Sequence, residues 1–207
     1  MAKYVVEKVI SNLIESNVFV VGDAEGCILI DAGVDIKQVK IVVGDRKVLG
    51  VFLTHGHYDH AFYAENYAKQ FGCKVFCSDD AKEYLENSEY NYSEGEFEVK
   101  DFSKFEFLYG EGILNIGNFK LSYHQLGGHS KGDMCFVVGD DIFVGDVLIG
   151  RDIGRIDLYG GDKYEMIKSL QFLLKKDYKI IHFGHGLDNS KDSQDKIINL
   201  WLRFLSR

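Results

Sequence analysis

The stretch Phe52–His60, FLTHGHYDH, places three histidines (His55, His57, His60) and Asp59 within six positions. It directly follows the apolar run Val48-Leu49-Gly50-Val51-Phe52-Leu53, whose continuity predicts an interior strand covered on both faces. Packing alone gives no reason to crowd imidazoles and a carboxylate at the end of such a strand. Imidazole and carboxylate together are the ligands that a borderline divalent cation such as zinc prefers. His55 and His57 are two apart, so on an extended chain both side chains leave the same face. Asp59 and His60 fall where the chain turns into a helix, which aims them at a neighbouring point. One tetrahedral ion cannot use all four groups together with further ligands; two adjacent ions can.

Outward from this stretch, further ligands occur in the same kind of setting. His129 lies in the glycine-rich loop LGGHSKGD, Asp146 in FVGDVL and His185 in HFGHG. Five of the seven histidines therefore sit at expected strand ends beside glycine, where open-sheet proteins place functional groups. His124 in LSYHQL and His182 in IIHFG read instead as packed strand histidines or as partners behind the ligands.

Short strands are expected in YVVEKVI, NVFVVGD and GCILIDAG, with hairpin turn signals at Gly22-Asp23 and Glu25-Gly26. VDIKQVKIVV predicts a helix. So does DHAFYAENYAKQFG, opened by Asp59 and followed by Gly72, and DAKEYLEN, capped by the aspartates before it. Residues 87–112 lack periodicity and read as a long loop with some strand, a wall or lid for a site. The second half returns to strands in ILNIGN, FKLSYHQL, MCFVVGD and DIFVGDVLI, then a helix in GDKYEMIKSLQFLLKK and a strand in YKIIHFGHG. The last helix, DSQDKIINLWLRFLSR, aligns Ile197, Ile198, Trp201, Leu202 and Leu205 on one stripe. Two facing sheets with helices outside would use all of these elements, as one domain over residues 1–207 with two pseudo-equivalent halves.

Composition narrows the class. With 24 Lys and Arg against 32 Asp and Glu, the net charge is −8, the wrong sign for a general nucleic-acid binder or an electrostatic membrane anchor. The N-terminal MAKYVVEKVISNLIESNVF lacks an uninterrupted apolar core, and no segment approaches about 18 consecutive apolar residues. The expected setting is cytoplasmic, with a small-molecule substrate. Cys27, Cys73, Cys77 and Cys135 read as small buried hydrophobes in a reducing compartment. The chain has no proline, for which we have no physical account.

THGHYDH resembles the His-x-His-x-Asp-His signature of the metallo-β-lactamase superfamily, and His129 in GGHS, Asp146 in VGDVL and His185 in FGHG match in order. FVGDVLIGRDIGRIDLYGGD looks like the glyoxalase II branch and the related persulfide dioxygenases. The resemblance runs from about Asn17 to His185. It implies an α/β fold, a four-layer αββα sandwich with metals at one edge of the paired sheets. It further implies that His55, His57 and His129 hold one ion, that Asp59, His60 and His185 hold a second, and that Asp146 bridges them. Two divalent ions are expected, zinc first, with iron or manganese as alternatives.

The implied activity is hydrolysis by metal-activated hydroxide, with Asp59 as the catalytic proton acceptor and a hydroxyacyl thioester as substrate. Rival readings are a persulfide dioxygenase using one iron on the counterparts of His55, His129 and Asp146, and a lactonase or β-lactamase on the same di-metal site. A metal-stabilised binding module is the non-catalytic alternative. Lys131 and Phe183 stand where the family often has proline, which alters loop stiffness. Larger glyoxalase II enzymes bind glutathione through basic residues of a helical extension, whereas only GLDNSKDSQDKIINLWLRFLSR follows His185, so the thiol is left open. Arg155 and Asp157 read as a structural ion pair in the loop after Asp146. Tyr58, Tyr159 and the aromatic segment EYNYSEGEF are candidates to line a pocket.

Overall fold

The computed structural model of the chain describes residues 4–12 and 15–207. The first half supplies β1 (Val5–Ile10), β2 (Asn17–Gly22), β3 (Gly26–Ile30), α1 (Ile36–Val43), β4 (Lys47–Phe52), α2 (Tyr58–Ala61), α3 (Ala64–Phe71), β5 (Val75–Ser78), α4 (Ala81–Leu85) and β6 (Phe105–Leu108). Its six strands form one sheet in sequence order, antiparallel from β1 to β3 and parallel from β3 to β6. The second half supplies β7 (Glu111–Ile116), β8 (Phe119–Gln125), β9 (Met134–Val138), β10 (Asp141–Phe143), a 3-10 turn (Gly145–Val147), β11 (Leu148–Ile149), β12 (Asp152–Ile153), α5 (Lys163–Lys175), β13 (Ile180–His182), β14 (Asn189–Ser190) and α6 (Lys191–Leu205). Its main sheet runs β14-β13-β10-β9-β8-β7, with β10 and β13 parallel.

Strand alternation builds the layers. On β2 and β3, Phe19, Val21, Ile28 and Ile30 face inward and meet Phe119, Leu121, Phe136 and Phe143 of the second sheet. The alternate residues Val18, Val20, Cys27 and Leu29 face outward and pack under α1 and α3 with Val39, Tyr67 and Ala68. On the other side, Cys135, Val137 and Ile142 pack beneath Met166, Leu170 and Leu173 of α5 and Ile198 of α6. This is the expected αββα sandwich, and it explains why the central strands β2, β3 and β9 read as continuous apolar runs: both of their faces are covered. Aromatic rings seal the centre, with Phe52 stacked on Phe76 at 4.7 Å and meeting Phe136 edge-on at 5.4 Å. All four cysteines are free and buried, where burial raises their thiol pKa, in keeping with a packing role.

Two expectations need correction. The helix predicted from Asp59 is two helices, because Tyr63 N–H donates to Ala32 O across the break instead of continuing the first. No aspartate caps α4: Asp80 makes no side-chain cap bond and instead accepts from Gln125 Nε2 at 2.5 Å. On α6 the predicted stripe packs inward, with Ile198 and Leu205 buried and Trp201 and Leu202 against the same core, while Leu200 and Phe204, off that stripe, are exposed. No helix among the described residues is long and apolar enough to cross a membrane.

Candidate metal centre

The seven residues singled out in the sequence converge where the two sheets meet. His55 and His57 follow the carboxyl end of β4, and Asp59 and His60 sit on the short helix α2 that begins at Tyr58. His129 lies in the β8–β9 loop, Asp146 in the 3-10 turn after β10, and His185 just beyond β13. Three overlapping groups have ligand-capable atoms within 4.8 Å of one another: His55, His57 and His129; His55, Asp59 and His60; His60, Asp146 and His185. His124 and His182 lie outside these groups. His124 is held between Glu111 and Lys176, and His182 is buried between Asp141 and Asp188.

The spacing within the cluster fits a cation. His60 Nε2 lies 3.3 Å from His185 Nε2, 3.5 Å from Asp59 Oδ2 and 3.4 Å from Asp146 Oδ1. His185 Nε2 lies 3.1 Å from Asp59 Oδ2 and 3.5 Å from Asp146 Oδ2, and the same Asp146 Oδ2 is 3.9 Å from His129 Nε2. Donor atoms about 2.0–2.1 Å from one tetrahedral ion stand about 3.3 Å apart, so these separations need little adjustment. Asp146 stands within 3.9 Å of His129 on one side and within 3.5 Å of His60 and His185 on the other.

The hydrogen bonds behind the cluster decide which ring nitrogens face inward. Asp31 accepts from Thr54 N at 2.7 Å, Thr54 Oγ1 at 2.9 Å and His60 Nδ1 at 2.9 Å. Because the Thr54 hydroxyl hydrogen goes to Asp31, its oxygen accepts from His55 Nδ1 at 3.1 Å. His129 Nδ1 donates to Arg155 O at 3.0 Å. In His55 and His129 the hydrogen is thereby held on Nδ1 and the Nε2 lone pair is left for the centre; in His60 the Nδ1 hydrogen is held by Asp31 and Nε2 is turned inward, where a bound cation would take the place of a second proton. His55 Nε2, His57 Nε2 and Asp146 Oδ1 are buried with no hydrogen-bond partner, which is costly unless another group coordinates them.

Electrostatics divides the cluster. Burial, reinforced by neighbouring histidines, pushes His55 far below its usual pKa and His57 down to about 3, so both are neutral and ligand-ready. Burial also opposes charge on His60 and His185, but the carboxylates of Asp59 and Asp146 outweigh it and raise both. Burial would raise Asp59; His60 and His185 more than offset this and hold it well below the usual carboxylate range.

Backbone packing imposes the arrangement. A Cβ on Gly184 would stand 2.1 Å from Asp146 Oδ1 and 2.5 Å from His60 Cε1, so only glycine admits His185 beside them. The His129 loop is fixed by the fully enclosed Asp133, which accepts from His129 N, Ser130 N and Ser130 Oγ. Tyr84, also fully buried, packs 5.6 Å from the His57 ring, donates to Tyr159 O and accepts from Lys131 N. It thus ties together the three loops that carry His57, His129 and the segment after Asp146. The 87–104 loop is a wall rather than a lid: buried Asn91 bonds Tyr84 O and Phe97 O through its side chain and receives Tyr58 N–H on its carbonyl. Arg155 and Asp157 form the expected ion pair, exposed to solvent.

Sequence reasoning missed Asp31, Thr54, Asp133, Asn91 and Tyr84. The Ser130–Asp133 spacing is a turn signature that could have found one of them. Asp31, a non-glycine residue at φ +65°, has no local signal beyond standing before Ala32-Gly33.

Comparison with known proteins agrees with this geometry. The chain is 28% identical over 182 residues to the "Probable metallo-hydrolase YqgX" of Bacillus subtilis, covering 84% of this chain and 86% of that protein. It is 30% identical over 173 residues to the "Hydroxyacylglutathione hydrolase GloC" of Haemophilus influenzae, covering 79% and 82%. Among solved structures, the BLEG-1 B3 metallo-β-lactamase superposes with a TM-score of 0.86 at 25% identity, covering 93% of this chain and 97% of that one. The family model described as the metallo-β-lactamase superfamily matches residues 12–185, a span that takes in every ligand-capable side chain of the cluster. With sandwich, cluster and family model in agreement, this chain belongs to the metallo-β-lactamase superfamily.

Proposed function

We propose that the chain is a binuclear metal-dependent hydrolase of the glyoxalase II type, acting on a hydroxyacyl thioester. His55, His57 and His129 hold one ion and Asp59, His60 and His185 the other, with Asp146 shared and zinc as the first-choice metal. The observation that carries this reading is the set of inward-facing Nε2 atoms of His55, His60 and His129, each aimed by a hydrogen bond on the opposite ring nitrogen. A structural histidine cluster has no use for that alignment. Bound there, two divalent ions supply the chemistry of lowering the pKa of a shared water to about 7 and polarising the carbonyl under attack.

The remaining work falls to the chain's own groups. Asp59 Oδ2 faces His185 and His60 and is ionised at neutral pH; its position, rather than its depressed pKa, supports it as the group that takes the proton of the attacking water. Asp31 and Thr54 keep His60 and His55 from rotating or changing tautomer as charge moves through the site. A thiolate leaves without a strong general acid, so a thioester needs none beside the cluster.

Metal content of protein purified without added metal, for wild type and for His57→Ala and Asp59→Ala, followed by a thioester and lactone panel, tests the proposal. About two ions per chain, fewer in both variants, with thioester hydrolysis, is the expected result. One iron retained in both variants with oxygen consumption would replace the hydrolase by a persulfide dioxygenase. A lactone preferred over every thioester would keep the site and overturn the substrate.

A further inference from the structure

His185 is held differently from the other histidines of the cluster. The rings of His55, His60 and His129 are each aimed by a hydrogen bond on Nδ1, whereas among the described residues nothing bonds Nδ1 of His185. It is also the most open of the five, with 23% of its side chain exposed while the other four are buried. A ring without such a bond is aimed only through the backbone that carries it. That backbone turns at once: Gly186 stands at φ +76°, with open space where a side chain would be, so nothing local stiffens the turn.

One residue of the opposite sheet grips it. Asn17, the first residue of β2 and 1% exposed, donates from its main-chain N to Gly184 O at 2.7 Å. Its Nδ2 donates to Phe183 O at 2.9 Å and to Gly186 O at 3.0 Å, so three carbonyls flanking His185 bond to a single residue. Its neighbour Ser16 stands opposite His185 in an antiparallel bridge, and Lys8 Nζ donates to the same Gly186 oxygen at 2.9 Å. Both acceptors of the Asn17 side chain are carbonyl oxygens, so only an amide nitrogen, with two hydrogens, satisfies the pair. That orientation leaves Asn17 Oδ1 buried without a partner, which is destabilising. Packing gives no reason to keep an orphaned acceptor; the two donors beside it do.

We propose that Asn17 is the positioning residue for His185: its amide fixes residues 183–186 so that His185 Nε2 stands beside Asp59 and Asp146, and it thereby sets the affinity of the ion assigned to Asp59, His60 and His185. This rests on the two-ion reading above and adds that one half of the centre depends on strand β2. The ion assigned to His55, His57 and His129, whose side chains take no hydrogen bond from Asn17, is left as it was.

The test measures zinc affinity by titration against a competing chelator in wild type, Asn17→Ala, His185→Ala and the double variant. In the otherwise wild-type chain, Asn17→Ala should weaken one of the two ions about 10–100-fold and leave the other unchanged. In the His185→Ala background the same substitution should add nothing, because the ring it positions is gone. A merely structural asparagine would cost the same in both backgrounds, or lower the melting temperature with both affinities intact; either result would overturn the assignment. Should Asn17→Ala not fold, Asn17→Asp, equal in size but with an oxygen in place of the donor, carries the same comparison. A single ion bound by wild type would instead overturn the two-ion reading, and this assignment with it.

Discussion

Replacing Asp31 tests the polar frame behind the centre most directly. Its carboxylate takes three donors, Thr54 N, Thr54 Oγ1 and His60 Nδ1, all within 2.9 Å and in a place where Asp31 and Thr54 are 1% and 2% exposed. In Asp31→Ala all three lose their acceptor. Each unmet buried group costs about 1–3 kcal/mol, but they share one network, so we expect about 3–5 kcal/mol in total, part of it from alanine at φ +65°. Asp31→Asn is the sharper probe. Asparagine tolerates the left-handed backbone and keeps one acceptor oxygen, but its amide nitrogen now faces a donor. About 1–3 kcal/mol should be lost, seen as a lower urea midpoint at unchanged slope. Because His60 no longer has its Nδ1 hydrogen fixed, ion affinity at its group should fall about 10–100-fold, read by metal content after dialysis against a competing chelator. A variant Asp31→Asn with the wild-type midpoint and undiminished metal would refute the claim that Asp31 orients His60.

Other perturbations address separate parts of the structure. Gly184→Ala drives a methyl into Asp146 Oδ1 and His60 Cε1, so hydrolysis should fall about 100-fold or more with loss of metal, measured by kinetics and elemental analysis; unchanged activity would deny the close approach. Tyr84→Phe strips a donor from Tyr159 O and an acceptor from Lys131 N and should cost about 1–3 kcal/mol by denaturant unfolding; an unaltered midpoint would show that the three loops hold without it. His182 is buried, which lowers its pKa, but the hydrogen bond to Asp141 and the nearby Asp188 carboxylate outweigh burial and raise it above 6.5. Its stabilisation is therefore complete below pH 6.5 and lost as pH rises through the raised value. Urea midpoints measured across that window should decline in wild type and flatten in His182→Gln; parallel curves would refute this assignment.

The sandwich was legible because its strands carry two faces of apolar residues, and Phe19 and Val20, adjacent in sequence, enter different cores. The candidate centre was legible where ligand-capable side chains crowd locally, as in His55–His60, and His129, Asp146 and His185 gained weight only through that crowding. What remained hidden acts over long separations. Asp31 meets His60 across 29 residues, and Tyr84 meets Lys131 across 47, with no periodicity to mark either. The helix break at Tyr63 escaped for the same reason: local spacing favours one helix, and only the distant carbonyl of Ala32 takes its N–H.

Polymer physics gives the convergence of the ligand-capable residues a further meaning. His57 and His129 meet across 72 residues, and His60 and His185 across 125, each pair joining one sheet to the other. An occupied centre is a cross-link that closes both loops. Closure entropy rises only with the logarithm of loop length, so the longer loop costs about 0.5 kcal/mol more than the shorter. Remote segments are fastened almost as cheaply as near ones. The sheets cannot part while that cross-link holds, so departure of the ions would gate unfolding, and the lifetime of the folded chain would follow the rate at which metal escapes.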